Sequence, residues 1–116
     1  MFPITPEMQH WCAMLEEELK QWPGVTAKRL FSFRSFYRGA TIFAALPQAL
    51  SFHSATSIIF KFDPMPPKLL QRASSDSRLN TKTRLPGRGW FSLELRDDAD
   101  IRDALWWLNE AYESAR

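Results

Sequence analysis

Near the N-terminus, hydrophobic residues recur at the spacing of a helix. Thr5, Pro6 and Glu7 favour a helix start, because threonine caps free backbone N–H groups, proline fits the first turn and an acid suits the positive helix end. Pro23-Gly24 favours a helix end. The apolar positions between these signals fall on one helical stripe: Met8, Trp11, Cys12, Leu15, Leu19 and Trp22. This pattern predicts an amphipathic helix that buries one face.

After Gly24 the pattern changes to short runs of β-branched and aromatic residues. Turn-forming residues interrupt these runs and divide the segment 25–62 into three or four consecutive antiparallel strands. Apolar and polar residues alternate at positions 31–33 and 60–62. Such alternation is typical of a sheet with one covered face and one wet face.

The second half of the chain predicts a short helix, a hairpin and a final helix. The short helix is expected at residues 67–73 and a polar loop at 74–80, followed by strands at 81–85 and 90–96. Asp97-Asp98 then opens the last helix, because aspartate caps free N–H groups and acids suit the first turn. The predicted buried stripe of this helix contains seven residues: Ile101, Ala104, Leu105, Leu108, Ala111, Tyr112 and Ala115.

Together these elements predict a single α+β domain that spans residues 1–116. The expected fold is an antiparallel sheet with the N- and C-terminal helices packed on one face. The chain is long enough for one hydrophobic core, and its aromatic content of 14% favours a core built from large rings. Cys12 is the only cysteine, so no disulfide can form within the chain, and we expect a small buried side chain at this position.

Several classes of protein and of site leave no signal in the sequence. No signal peptide is visible and no apolar run is long enough to span a membrane, so we expect a cytoplasmic protein without a membrane partner. His10 and His53 belong to no catalytic motif. The acidic groups that could attract a metal are explained by solvated helix faces and helix starts. We therefore expect no enzyme active site, no metal site and no cofactor.

Charge is distributed unevenly along the chain, although the net charge is only +2. Residues 24–96 contain twelve Lys or Arg and three acids, giving +9, whereas residues 1–23 carry −3 and residues 97–116 carry −4. A basic sheet face with aromatic side chains suits a phosphate backbone and stacked bases, so we predict an anionic partner, with nucleic acid as the first choice. The predicted phosphate contacts are basic residues expected on the face that the helices leave open: Arg29, Arg34, Arg38, Lys61, Arg84 and Arg88.

A second hypothesis starts from the adjacent tryptophans of the last helix. The buried stripe uses Leu105 and Leu108, so at least one of Trp106 and Trp107 should lie on the flank of the helix, where exposed tryptophan often marks an interface. A homodimer or another protein partner is therefore the alternative to nucleic acid. A small-molecule pocket between helices and sheet also stays open, because pocket residues and core residues look alike in a sequence.

Several short segments carry a family resemblance: Pro23-Gly24-Val25-Thr26, residues 36–44, residues 85–93, Ala104-Leu105 and Ala111-Tyr112-Glu113. They resemble the MmcQ/YjbR-like family and a related group of bacterial "luciferase domain" proteins. The connection through residues 64–67 is closer to the second group. The resemblance implies a frataxin-like (CyaY-like) α+β fold and DNA binding, and it implies no catalytic residues.

Overall fold

The computed structural model describes residues 1–81 and 89–115 of the chain. In chain order the elements are β1 (Phe2–Pro3), α1 (Pro6–Leu19), β2 (Val25–Leu30), β3 (Phe33–Arg38), β4 (Thr41–Pro47), β5 (Leu50–Ser51), β6 (Ser57–Lys61), α2 (Pro67–Ser75), β7 (Leu79–Asn80), β8 (Trp90–Glu94) and α3 (Asp100–Ser114). This is the α+β class that the hydrophobic pattern predicts.

The first helix begins as its sequence predicts. The Thr5 hydroxyl accepts a hydrogen bond of 3.0 Å from the Met8 N–H, and Pro6 occupies the first turn. Five of the six residues of the predicted stripe are buried in α1. The sixth, Trp22, lies after the helix end and packs partly buried against the core.

Six strands form one antiparallel sheet in the order β2-β3-β4-β6-β8-β7. The strands β2, β3 and β4 are joined by short turns, as expected for consecutive strands. The short strands β1 and β5 pair separately from this sheet. The antiparallel sheet predicted from the alternating pattern is therefore confirmed.

Two details of the second half differ from the prediction. The segment expected to be a loop at 74–80 instead contains the end of α2 and the short strand β7, which pairs with β8. Asp97 and Asp98 form a turn before α3, and the cap position is Ala99. The strand expected at 81–85 lies almost wholly outside the described residues.

All three helices contribute to one core on the same face of the sheet. Leu15 of α1, Leu69 of α2 and Leu108 of α3 belong to the same buried cluster as Phe60 of the central strand β6. Trp107 lies flat on Phe60, with ring centroids 5.8 Å apart and an angle of 11° between the planes. This layer buries the N- and C-terminal helices on one face, as the sequence predicts.

A single arginine joins the end of α2 to the start of α3. The Arg78 guanidinium donates hydrogen bonds to the carboxylates of Asp76, Asp100 and Asp103 at 2.6–3.0 Å. Its hydrogen bonds lower the pKa of Asp76. Burial raises the pKa of Asp100, but hydrogen bonds from the Arg96 N–H and from Arg78 outweigh this effect and leave it lowered. We call these four residues, Arg78 with its three aspartates, the arginine clamp.

Candidate ligand-binding site

The second face of the six-stranded sheet carries no helix within residues 1–81 and 89–115. Because side chains alternate along a strand, the neighbours of the core residues point to this face, which we call the open face. Strand pairing places Ser35, Ala45, Ile59 and Ser92 side by side in one row across β3, β4, β6 and β8. The row crosses the centre of the open face, with apolar residues in its middle and a hydroxyl at each end.

Apolar side chains form the floor of a concavity on the open face. Phe33, Ala45 and Ile59 are buried in a cluster of their own, separate from the main core, and Trp90 packs against them. The concavity has a volume of about 620 Å³, within the range of roughly 300–1,000 Å³ that is typical of small-molecule sites. Of the described residues that line it, none has a charged side chain, and two serines carry the only hydroxyl groups.

Large exposed hydrophobic side chains lie on the rim of this concavity. Of the seven such residues in the described part of the chain, four line it, namely Met1, Leu30, Phe31 and Phe52. Phe31 is 90% exposed, and its φ of 55° is in the left-handed region that a bulky residue rarely adopts. Phe52 stacks on Phe33 with ring centroids 5.0 Å apart. Such a concentration of exposed apolar residues is typical of a binding surface.

Two serine hydroxyls of the open face are buried without using their hydrogen-bonding capacity. Ser35 Oγ and Ser92 Oγ have no hydrogen-bond partner among the described residues. A buried hydroxyl without a partner costs about 1–3 kcal/mol, so such groups are rare in native structures. Ser35 also lines the concavity. The protein therefore tolerates an unfavourable polar group at the centre of this face.

One corner of the open face is polar, and its polar side chains form hydrogen bonds with one another. The Glu94 carboxylate accepts hydrogen bonds from the hydroxyls of Ser54 and Thr56. The hydroxyls of Ser51 and Ser57 lie 3.0 Å apart and share a hydrogen bond. These contacts hold the loop between β5 and β6 against the end of β8, and they occupy the carboxylate.

Two lysine ammonium groups lie against aromatic rings of the open face. The Lys28 ammonium is 5.2 Å from the centre of the Tyr37 ring, and the Lys61 ammonium is 5.8 Å from the centre of the Trp90 ring. Strand pairing puts Lys28 opposite Ser35 and Lys61 opposite Trp90, so each lysine neighbours a residue that lines the concavity. The open face therefore carries large exposed hydrophobic side chains around the β2–β3 turn and cations beside the rings of Tyr37 and Trp90.

Three predicted phosphate contacts lie on the helix side of the sheet, which corrects their expected placement. Arg34 Nε lies 2.6 Å from a carboxylate oxygen of Glu16 on α1. Arg38 donates a 3.0 Å hydrogen bond to the backbone oxygen of Tyr112. Its guanidinium also lies 4.3 Å from the centre of the Tyr112 ring. Arg29 pairs with Arg34 across β2 and β3, so it shares this side.

The physical reason is the two-residue period of the strand. Arg34 and Arg38 flank Phe36, which is fully buried in the main core, so Arg34 points to the same side as Phe36. Arg38 also lies two residues from Phe36, so it points to this side as well. Lys61 lies on the open face as predicted, whereas Arg84 and Arg88 lie outside the described residues.

The two adjacent tryptophans have different environments. Trp107 is fully buried and stacks on Phe60, so it cannot form part of an interface in this conformation. Trp106 is half-buried, with the Arg72 guanidinium 3.8 Å from the centre of its ring. The predicted stripe placed Leu105 in the core, but Leu105 is only half-buried and Trp107 takes the central position.

Cys12 is buried against the main core, which confirms the prediction for the only cysteine of the chain. Burial, with a smaller effect from the nearby Glu16 carboxylate, raises the pKa of its thiol to about 12. The thiol is therefore protonated at neutral pH and is a poor nucleophile.

The apolar floor was not predicted from the sequence, although the sequence contains a signal for it. Residues 43–46 and 58–60 are continuous apolar runs, so both faces of β4 and β6 carry apolar side chains. Such runs are typical of strands buried on both faces. The position of Phe31 on the rim has no comparable signal, because it depends on the turn between β2 and β3.

No helix in the described part of the chain is long and apolar enough to cross a membrane. In the same residues, no group of three His, Cys, Asp or Glu side chains is placed to hold a metal ion. Comparison with protein-family models, with curated proteins and with solved structures gives no match for this chain. The resemblance to the MmcQ/YjbR-like family therefore stays a prediction.

Proposed function

We propose that this protein is a binding module for a small apolar ligand, held on the open face of its sheet. The observation that carries the proposal is the concavity of about 620 Å³ with a buried apolar floor and no charged side chain among its described lining. Four exposed hydrophobic residues on the rim support it, because contiguous exposed apolar surface is uncommon on a protein without a partner.

A binding role fits the described side chains better than a catalytic one. Nucleophilic catalysis needs a nucleophile within hydrogen-bond reach of a base. His53 contacts the Asn80 amide, and no hydrogen bond joins either histidine to a hydroxyl or thiol in residues 1–81 and 89–115. The Cys12 thiol is buried and protonated. We therefore propose no enzymatic activity.

The test is a titration with N-phenyl-1-naphthylamine, an uncharged fluorescent probe of apolar sites. We expect saturable fluorescence enhancement with the unmodified protein. Ala45→Leu should weaken binding by about tenfold or more, equivalent to about 1.4 kcal/mol, because the added side chain fills the concavity. Ala13→Leu, at an exposed position of α1, is the matched control and should bind like the unmodified protein.

Two outcomes would contradict this proposal. One is the absence of saturable binding by the folded, unmodified protein. The other is equal affinity in the Ala45→Leu variant, with circular dichroism and thermal unfolding showing that both proteins are folded. Because the larger side chain at position 45 would project into open space and not into the main core, we expect the variant to fold.

Nucleic-acid binding remains a second candidate, with a changed set of contacts. The observation in its favour is the placement of Lys28 beside Tyr37 and Lys61 beside Trp90 on the open face, because cations and aromatic rings suit phosphates and stacked bases. Arg34 and Arg38, which contact α1 and α3, give it less support than expected. A homodimer through Trp106 and Trp107 has still less support, because Trp107 is buried.

Fluorescence anisotropy with labelled single- and double-stranded DNA and RNA at two salt concentrations tests this candidate. Binding that weakens steeply with salt, and falls in Lys28→Gln/Lys61→Gln but not in Arg34→Gln, would support it. Absence of binding at low salt would remove it.

A further inference from the structure

The open face is polarised along its strands. Exposed hydrophobic side chains, among them Phe31 and Phe52, lie where β2 meets β3 and where β5 ends. The Lys61 cation lies towards the other end, against the ring of Trp90, and the Lys28 cation lies at the β2 edge, against the ring of Tyr37. The apolar floor connects the two ends. A ligand that matches this surface has an apolar part and a separate charged part.

The described groups around the cationic end favour an anion. Neither Lys28 nor Lys61 forms an ion pair with another described residue. The closest acid in sequence is Asp63, which is exposed and lines a separate polar cleft with Lys61. Glu94 lies at the far end of β8 and is held by two hydroxyls. The ammonium groups of Lys28 and Lys61 therefore attract an anionic head group, and the Glu94 carboxylate repels it.

We infer that the ligand is an anionic amphiphile, with its head group at Lys28 and Lys61 and its apolar tail on the floor between Ile59 and Phe33. This inference rests on the proposed function of the open face. From Phe33 to Tyr37, four residue steps of β3 span roughly 13 Å at about 3.3 Å per residue. An extended chain advances about 3.3–3.6 Å per three bonds, so a tail of roughly twelve atoms fits this length.

The experiment is displacement of N-phenyl-1-naphthylamine by three amphiphiles with comparable tails: dodecanoate, dodecanol and dodecyltrimethylammonium, each below its aggregation concentration. We expect dodecanoate to displace the dye at about tenfold lower concentration than dodecyltrimethylammonium, with dodecanol between them. Two partly exposed charge contacts of up to about 1 kcal/mol each account for this ratio. High salt should reduce it.

The variant Lys28→Gln/Lys61→Gln should reduce the preference to less than about threefold while it still binds the dye. Lys20→Gln/Lys68→Gln, at exposed positions of the helix layer, is the matched control and should keep the preference. Equal displacement by all three amphiphiles would overturn the inference and leave the proposed function intact. Absence of dye binding by the unmodified protein would instead overturn the proposed function.

The anionic amphiphile can be a free molecule or part of a lipid surface, and we propose a free molecule. Co-sedimentation with vesicles of dioleoylphosphatidylglycerol separates the two. We expect displacement by monomeric dodecanoate without sedimentation. Sedimentation with the vesicles and no displacement by dodecanoate would overturn the inference.

Discussion

Both faces of the sheet carry buried apolar side chains, but the described helices pack on only one of them. On the helix side, Phe60 is sealed by Trp107, and side chains from three helices complete the packing. On the open face, Phe33 is stacked on the exposed ring of Phe52 and borders a concavity. The comparison indicates that the central strands carry more apolar surface than the helices cover, and that the excess is available for a ligand.

A matched pair of substitutions gives the largest expected difference between the faces. Phe60→Ala removes a fully buried ring from the main core and should cost about 3–5 kcal/mol of unfolding free energy. Phe33→Ala should cost about half as much, because this ring borders the concavity and belongs to a much smaller buried cluster. Urea unfolding measures both values. Equal costs would show that the open face is packed as tightly as the core.

The arginine clamp lies only on the helix side of the sheet, so a variant of it tests whether the two faces are independent. Arg78→Met should lower the unfolding free energy by about 2–3 kcal/mol, less than for a fully buried ion pair, because its side chain is 17% exposed. Binding of N-phenyl-1-naphthylamine should not change. Loss of dye affinity in a folded variant would show that the two faces are coupled.

The clamp also predicts the acid dependence of stability. The pKa values of Asp76 and Asp100 are lowered in the folded protein, so these carboxylates bind protons more weakly than in the unfolded chain. Their contribution is present above the ordinary aspartate pKa of about 3.9 and is lost as the pH falls through the lowered values. Arg78→Met should therefore lose less stability than the unmodified protein between pH 6 and pH 3, as urea unfolding would measure. Equal losses would contradict this explanation.

The unsatisfied hydroxyl on the open face predicts a smaller effect of opposite sign. Ser35→Ala removes a buried hydroxyl without a partner and should raise the unfolding free energy by about 1 kcal/mol. Ser57→Ala is the control, because its hydroxyl is buried and hydrogen-bonded, so this variant should be destabilised. Destabilisation by both substitutions would mean that Ser35 has a partner in solution.

The smallest expected change in stability is at the rim. Phe31→Asn should leave the unfolding free energy within about 0.5 kcal/mol, because the ring is 90% exposed and asparagine tolerates a positive φ. The same variant should bind the dye more weakly, whereas Leu70→Gln on α2 should not. Unchanged dye affinity in Phe31→Asn would remove this ring from the site.

Sequence periodicity predicted reliably which residues are buried together. It predicted less reliably on which face of the sheet a given side chain lies. The stripe of α1 and the antiparallel meander were predicted because propensity, capping and spacing agree there. The faces of Arg34 and Arg38 were predicted wrongly, because charge was taken to mean the open side, although both flank the buried Phe36. At least one of Trp106 and Trp107 was expected on a flank, but the pattern did not indicate which one is buried, and packing against Phe60 of β6 places Trp107 in the core.

The buried thiol of α1 has a practical consequence for measuring the motions of this protein. Cys12 is the single cysteine and is protonated and buried in the folded state, so we expect alkylation mainly from states in which α1 has separated from the sheet. The alkylation rate at neutral pH therefore reports the opening equilibrium of this one helix without any introduced label. Each tenfold slowing relative to the unfolded chain corresponds to about 1.4 kcal/mol of opening free energy when reclosing is fast. A ligand that binds the open face and stabilises the whole domain would therefore slow the alkylation of Cys12 further.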